Sequence, residues 1–277
     1  MAKHHDQKRM LDFLHIEAHS NVQSGANQYF YLKRVDGLVQ IFKSSFENSW
    51  PHQLTFFREG VDDYAISPDG RLLAVIENRK GSEHNPIAIV DTTTGRYSYA
   101  IQKEGVQSNQ IVWKRDGSGF MFRSNLENGT DFKIYEYCLF KKAYEKIVDT
   151  RGYTVPLDYS PDGLKVLYSI RHAKANQDLY IFDLESQESR HLTPHEGYQR
   201  NDARFGRNAM ELYLLSDREG GDFCRLYRWQ LDEDIIVRIG PDIDWELSGL
   251  RVSEDGRYVM YNSNQDGFGA LYMVDGD

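Results

Sequence analysis

Nine histidines are the side chains of this 277-residue chain best suited to bind a metal or transfer protons. They are His4, His5, His15, His19, His52, His84, His172, His191 and His195. No two of them form a His-x-His pair. His191 and His195 lie four residues apart, but Thr193-Pro194 between them prevents a helix, so the two imidazoles would not share a helical face. The spacing therefore predicts no metal site and no histidine-based catalytic group.

Acidic clusters and cysteines lead to the same expectation. Asp232-Glu233-Asp234 could suggest calcium, but it lacks the alternating oxygen donors and the glycine of a calcium loop. The two cysteines, Cys138 and Cys224, lie in apolar stretches and form no Cys-x-x-Cys motif. We therefore expect a hairpin tip at residues 232–234, two buried thiols, and no cofactor.

The charge balance restricts the class of partner. The chain has 33 Lys and Arg against 42 Asp and Glu, a formal net charge of −9. A nucleic-acid partner is not expected, since there is no basic excess to displace the counterions of phosphate groups. Nor do we expect a membrane partner, because no run approaches 18 apolar residues. The polar N-terminus has no signal-like apolar segment, and these features predict a cytoplasmic protein.

A repeated turn motif in the sequence indicates the elements that must position any site. Ser67-Pro68-Asp69-Gly70 returns as Ser160-Pro161-Asp162-Gly163 and as Ser253-Glu254-Asp255-Gly256, with weaker copies at 114–117 and 206–208. The turn positions 69, 116, 162, 208 and 255 are 46 or 47 residues apart. Asp91, Asp183 and Asp275 each close an apolar run and are spaced by 92 residues, twice that period. Two markers with one period indicate a tandem repeat.

Each repeat contains four short apolar runs separated by Asp-, Gly- and Pro-rich turns, which is typical of antiparallel strands. A repeat of this size predicts an all-β fold, a β-propeller of four-stranded blades, because neighbouring blades bury the two apolar faces that one sheet leaves exposed. The propeller is expected over residues 21–277, after an N-terminal tail at 1–20. The six predicted units are about 21–57, 61–102, 107–148, 154–193, 200–240 and 246–277.

The sixth unit stops after its third strand, and two explanations stay open. Either the chain is a fragment, or a segment near Leu11–Ile16 supplies the missing outer strand and closes a six-bladed ring. An unfinished blade would leave an exposed edge that favours self-association.

The segments that lead into each blade are the candidate binding surface, since loops on a rigid scaffold commonly carry function. Such loops connect an outer strand to the next inner strand and would gather on one face of a propeller. The residues expected to face a substrate or partner are Asp62, Asp63, Gln107, Asn109, Tyr198, Arg200, Asp202, Asp244 and Trp245.

Several segments resemble the N-terminal propeller of the prolyl oligopeptidase family of serine peptidases, and most closely its acylaminoacyl-peptidase-like members. They are Trp50-Pro51-His52-Gln53-Leu54-Thr55, residues 190–197, the Ser-Pro-Asp-Gly turns, and Asn264-Gln265-Asp266-Gly267 beside the 253–256 turn. The resemblance extends from about residue 12 to 277. It implies a partner α/β-hydrolase domain that carries the catalytic triad, and short peptides as substrates. The sequence departs from the family pattern because it contains no Gly-x-Ser-x-Gly elbow and no seventh blade.

Two functions follow from the resemblance and the repeat. The first is a non-catalytic propeller that controls substrate access in a peptidase whose hydrolase domain is not in this sequence. The second is a stand-alone TolB-like or WD40-like propeller that binds a protein partner. A propeller enzyme with its own site would need histidines or carboxylates clustered on the inner strands, and the sequence indicates none. No catalytic residue is therefore assigned.

Overall fold

The computed structural model of the chain describes residues 19–25, 27–47, 50–79 and 84–276. Every regular element among them is a β-strand. The strands divide between two compact units, Met1–Gly105 and Val106–Asp277. The predicted closing segment Leu11–Ile16 lies outside the described residues.

The first unit holds two antiparallel sheets of four strands each. Blade 1 consists of β1 (His19–Gly25), β2 (Gln28–Val35), β3 (Leu38–Ser45) and β4 (His52–Gln53). Blade 2 consists of β5 (Val61–Ile66), β6 (Leu72–Glu77), β7 (Ile87–Asp91) and β8 (Tyr97–Ile101). Apolar side chains from both sheets form one buried cluster, to which Phe30 and Ile41 contribute from blade 1 and Leu73 and Val90 from blade 2.

The second unit holds three four-stranded sheets and one three-stranded sheet. Blade 3 consists of β9 (Ser108–Trp113), β10 (Gly119–Ser124), β11 (Lys133–Cys138) and β12 (Ala143–Val148). Blade 4 consists of β13 (Tyr153–Tyr159), β14 (Lys165–Ala173), β15 (Asn176–Asp183) and β16 (Ser189–His191). Blade 5 consists of β17 (Asn201–Phe205), β18 (Glu211–Ser216), β19 (Arg225–Gln230) and β20 (Ile235–Arg238). Blade 6 consists of β21 (Leu247–Val252), β22 (Tyr258–Gln265) and β23 (Phe268–Asp275).

Neighbouring blades of the second unit share apolar cores in the same way. Leu167 and Leu179 of blade 4 pack with Phe205 and Leu212 of blade 5 in one buried cluster. The second strand of blades 3 and 5 is buried along its whole length, since both faces of that sheet are covered. Such strands therefore show no alternation of apolar and polar residues.

The Ser-Pro-Asp-Gly repeat forms a hydrogen-bonded turn between the first and second strands of its blade. At residues 67–72 the Ser67 hydroxyl donates to Asp69 Oδ1 at 2.7 Å and accepts from the Leu72 amide at 2.9 Å. The same two bonds recur at Ser160 and at Ser253. Gly70 has a φ of 72°, a left-handed conformation that glycine adopts without strain. A local turn with its own hydrogen bonds explains why the motif marks each blade so regularly.

The predicted fold class is confirmed. Over the described residues the fold is all-β, a β-propeller with five antiparallel blades of four strands and a last blade of three. In the part of the chain that is described, no helix is long and apolar enough to span a membrane.

Candidate functional site

A surface cavity of about 450 Å³ opens between blades 3 and 4 of the second unit. The cavity lies beside the end of β10. The loop that leads into β11 and the loop that leads into β13 form its other walls. Its lining residues are Arg123, Thr130, Asp131, Phe132, Lys133, Thr150, Arg151, Gly152 and Tyr153. We call this cavity the Arg123 pocket.

Arg123 lines the pocket and is only 4% exposed. Its guanidinium carbon is 3.9 Å from the ring centroid of Phe132 and 3.8 Å from that of Tyr153, so two aromatic rings cover the group. Nη1 donates to Asn109 Oδ1 at 3.3 Å, whereas the buried Nε has no hydrogen-bond partner. Burial lowers the pKa of Arg123, with a further lowering from the positive charge of Arg171 and an opposing effect of the Tyr153 hydroxyl.

The electrostatic surroundings of the pocket are mainly positive. The Arg171 guanidinium carbon lies 5.2 Å from the ring centroid of Tyr153. Lys133 Nζ is neutralised by Asp149 Oδ1 at 2.6 Å and donates to the Thr150 carbonyl at 2.7 Å. Asp131 is the acidic lining residue, and its carboxylate accepts from the Asn128 amide at 2.9 Å. Among the described residues, no carboxylate lies within 4.0 Å of a nitrogen of Arg123 or Arg171.

Two of the residues expected to face a substrate or partner support this pocket. Asn109 holds Arg123 directly, and the Gln107 amide donates to Asn125 Oδ1 at 2.7 Å, which fixes the loop after β10. Both residues are half-buried, and neither lines the pocket.

Arg200 and Asp202, predicted from the loop before blade 5, are engaged in ion pairs. Arg200 contacts Asp217 at 2.7 Å and Glu246 at 2.9 Å, and so links blade 5 to the segment that enters blade 6. Asp202 pairs with Arg204 at 2.6 Å. These contacts are sufficient to explain both side chains structurally.

The remaining candidates differ in exposure. Tyr198 is 78% exposed, Trp245 is 40% exposed, and the Asp244 carboxylate is in solvent. In the first unit, Asp62 accepts hydrogen bonds from the side chains of Asn78 and Asn85. Asp63 accepts from the Tyr64 amide at 2.9 Å, and burial raises its pKa. Whether any of these residues contacts a substrate or partner stays a prediction.

Three histidines meet at one carboxylate, which the sequence did not reveal. Asp178 lies 2.9 Å from His172 Nε2, 3.2 Å from His191 Nε2 and 3.0 Å from His195 Nδ1. The segment from His191 to His195 is not helical, as Thr193-Pro194 requires. His191 reaches Asp178 from the strand β16 that pairs with β15, and His195 reaches it from the segment after that strand. Within the described ranges, no group of three or more His, Cys, Asp or Glu is arranged to hold a metal ion. The cluster joins β14, β15 and the segment after β16.

Sequence reasoning missed the central residue of the pocket, Arg123, together with Phe132, Tyr153 and Arg171. One feature of the sequence could have indicated Arg123. Arg123 follows Phe120-Met121-Phe122, and an arginine inside an apolar strand buried on both faces is unusual unless a partner balances its charge. The aromatic contacts come from two different loops, so no local spacing could indicate them.

Comparison with protein families gives one match. The model of the prolyl oligopeptidase N-terminal β-propeller domain matches residues 47–237, more than half of the chain. No curated protein matches the sequence.

Comparison with solved structures gives many propellers of low sequence identity. A prolyl endopeptidase structure is similar with a TM-score of 0.75 and 15% identity over 94% of this chain and 41% of that one. The β-propeller domain of the Trilobed protease from Pyrococcus furiosus has a TM-score of 0.73 and 14% identity over 94% of this chain and 83% of that one. TolB from Acinetobacter baumannii has a TM-score of 0.64 and 17% identity over 100% of this chain and 67% of that one. The chain thus spans less than half the length of the prolyl endopeptidase, and at these identities the likeness concerns the fold.

Proposed function

Because the chain belongs to the family of prolyl oligopeptidase N-terminal β-propeller domains, we propose that it is the non-catalytic propeller of a serine peptidase of that family. The observation that carries the proposal is the family match over residues 47–237. The prolyl endopeptidase with the same fold is more than twice as long as this chain. The partner of the propeller is then an α/β-hydrolase domain, which supplies the nucleophile, base and acid in a longer parent protein.

In this role the propeller restricts access to the reactive serine. Blades packed through shared apolar cores form a rigid scaffold, so folded proteins are excluded by size while short, flexible peptides reach the active site. The loops that enter the blades, with Tyr198 and Trp245 exposed, are the surface on which a peptide or the hydrolase domain would bind. The location that we propose for the parent protein is cytoplasmic.

The assignment is tested first by activity. The purified chain is expected not to hydrolyse acyl-peptide or aminoacyl chromogenic substrates, since its sequence has no Gly-x-Ser-x-Gly elbow. Turnover that co-purifies with the chain and is blocked by a serine-directed inactivator would contradict a non-catalytic role.

The gating role requires the parent protein. Sequencing the coding region beyond the codon for Asp277 is expected to reveal a seventh blade and the missing nucleophile elbow. In the intact peptidase a short peptide should be cleaved, while the same sequence within a folded protein should resist. Deleting the propeller should abolish this discrimination. Equal resistance of the folded substrate with and without the propeller would argue against a gate.

A stand-alone interaction module is the second candidate. It is favoured by the likeness to TolB, whose structure covers the whole chain. A stop codon directly after Asp277, together with capture of one protein partner at the loops that enter the blades, would support this function over the first.

A further inference from the structure

We propose that the Arg123 pocket binds the carboxylate group of a small ligand, either the C-terminus of a short peptide or an acidic side chain. This site goes beyond the gating role, because binding would occur on this chain alone. The pocket volume of about 450 Å³ is within the range of roughly 300–1,000 Å³ that is usual for small-molecule sites.

The first argument is an uncompensated charge. A buried guanidinium is costly unless it is paired or fully hydrogen-bonded. Arg123 is 4% exposed, and its polar partners are neutral: Asn109 Oδ1 at 3.3 Å and the hydroxyl of Tyr153. Its other buried donor, Nε, has no partner, and no carboxylate of the described residues is within ion-pair distance. An anionic ligand would supply the missing charge and the missing acceptor.

The second argument is the edge of the guanidinium that lacks a hydrogen-bond acceptor. The rings of Phe132 and Tyr153 cover the guanidinium, and Asn109 occupies Nη1. The remaining edge carries Nε and Nη2, two parallel N–H donors that match the two oxygens of a carboxylate. Nε is buried, so a ligand reaches this edge by displacing the Tyr153 ring, which covers the guanidinium and is 42% exposed. Phosphate can accept the same pair of bonds, but its remaining oxygens need donors from other directions, so a planar carboxylate suits this position better.

The third argument is the charge at the mouth of the pocket. Arg151 is exposed at the rim, and Arg171 lies against Tyr153. Lys133 is already paired with Asp149, so we do not count its charge among those that attract the ligand. These two positive charges outnumber the one carboxylate that lines the pocket, Asp131, and would attract an anion to this part of a protein whose net charge is −9.

The test is calorimetric titration of the purified chain with four probes. Two are N-acetylated trialanines, one with a free C-terminus and one amidated. The third is the amidated peptide with glutamate as its central residue, and the fourth is inorganic phosphate. We expect the free-acid peptide to bind about tenfold or more tightly than its neutral amide, which is the usual contribution of one charge-assisted hydrogen-bonded pair. The glutamate peptide distinguishes a side-chain carboxylate from a C-terminal one.

Variants locate the binding. Arg123→Gln should abolish the preference for a carboxylate, and Arg123→Lys should reduce it about tenfold because the forked donor pair is lost. Arg190→Gln, on the exposed strand β16, makes the same charge change away from the pocket and should have no effect. Arg171→Gln, at an exposed position, tests the site without altering a buried group and should weaken binding in part.

Four outcomes would overturn the inference. They are no detectable binding of either carboxylate peptide to the wild-type chain, binding of both carboxylate peptides that is no tighter than that of the neutral amide, tighter binding of inorganic phosphate than of both carboxylate peptides, and carboxylate binding that survives both Arg123→Gln and Arg171→Gln. Because no hydrolase activity is measured, failure of the gating role would leave this result unaffected.

Discussion

Asp149 holds two lysines at the outer edge of blade 3. Its Oδ1 lies 2.6 Å from Lys133 Nζ, and its Oδ2 lies 2.6 Å from Lys146 Nζ. These bonds, that of Lys133 first, lower the pKa of Asp149 to about 2. The Lys133 side chain is 11% exposed and the Asp149 side chain 54%, so the removal of Asp149 chiefly affects a nearly buried ammonium group.

We predict that Asp149→Asn lowers the free energy of unfolding by about 1 kcal/mol at neutral pH, a value reduced by solvent screening of the exposed carboxylate. The pKa in the folded state is below that of the unfolded chain. The stabilisation is therefore present above about pH 4 and is lost as the pH falls towards 2. Urea unfolding of both proteins across this range should show their difference shrink with acidification. Asp232→Asn, at an exposed turn position, is the control, and a difference independent of pH would contradict the prediction.

Residues that act through contacts between loops are the part of the site that the sequence could not predict. The place of Asn109 in a loop that enters a blade predicts it as a candidate, and it contacts Arg123 in the pocket. No such signal predicts Arg123, since its role depends on Phe132 and Tyr153, which pack against it from two other segments. The three histidines at Asp178 were missed for the same reason, because strand pairing and the segment after β16, rather than spacing, bring them together.

At the scale of elements, the turns were the most predictable feature. A Ser-x-Asp-Gly turn is closed by bonds among six consecutive residues, so its sequence contains nearly all the information that forms it. The glycine of this turn has different neighbours in different blades. Gly163 and Gly256 have φ values of 71° and 72°. A Cβ at Gly163 would meet no atom within 4 Å, whereas one at Gly256 would lie 2.6 Å from the Arg207 amide nitrogen of blade 5.

These two glycines form a matched pair of variants. Gly163→Ala should cost roughly 1–2 kcal/mol of unfolding free energy, the strain of a left-handed non-glycine residue. Gly256→Ala adds a backbone clash and should cost roughly 1–3 kcal/mol more. Chemical denaturation of the two variants beside the wild type measures both values. Equal losses would mean that the contact between the turns of blades 5 and 6 is loose enough to relax.

At the scale of the whole molecule, the period of 46 or 47 residues was sufficient to predict the propeller, because a sheet with two apolar faces must be covered on both. Among the described residues, the covering of apolar surface in blade 6 is incomplete at the last strand, β23. In the described part of the chain, β23 pairs with β22 alone. Its side chains include Phe268, Leu271 and Met273, which are 79%, 76% and 65% exposed. A strand edge with exposed apolar residues readily pairs with another chain.

We therefore predict that the chain self-associates through β23 in a concentration-dependent manner. Leu271→Lys should shift the equilibrium towards the monomer, since a charge on an edge strand disfavours edge-to-edge pairing. Leu164→Lys, at an exposed turn position of blade 4, makes the same substitution away from this edge and should leave the association unchanged. Sedimentation velocity across a wide concentration range measures all three proteins. In hydrogen exchange, the amides of β23 should gain protection on association, while those of the buried strand β18 should not change. A chain that stays monomeric at every concentration, or one in which both lysine variants act equally, would show that this edge is not the contact.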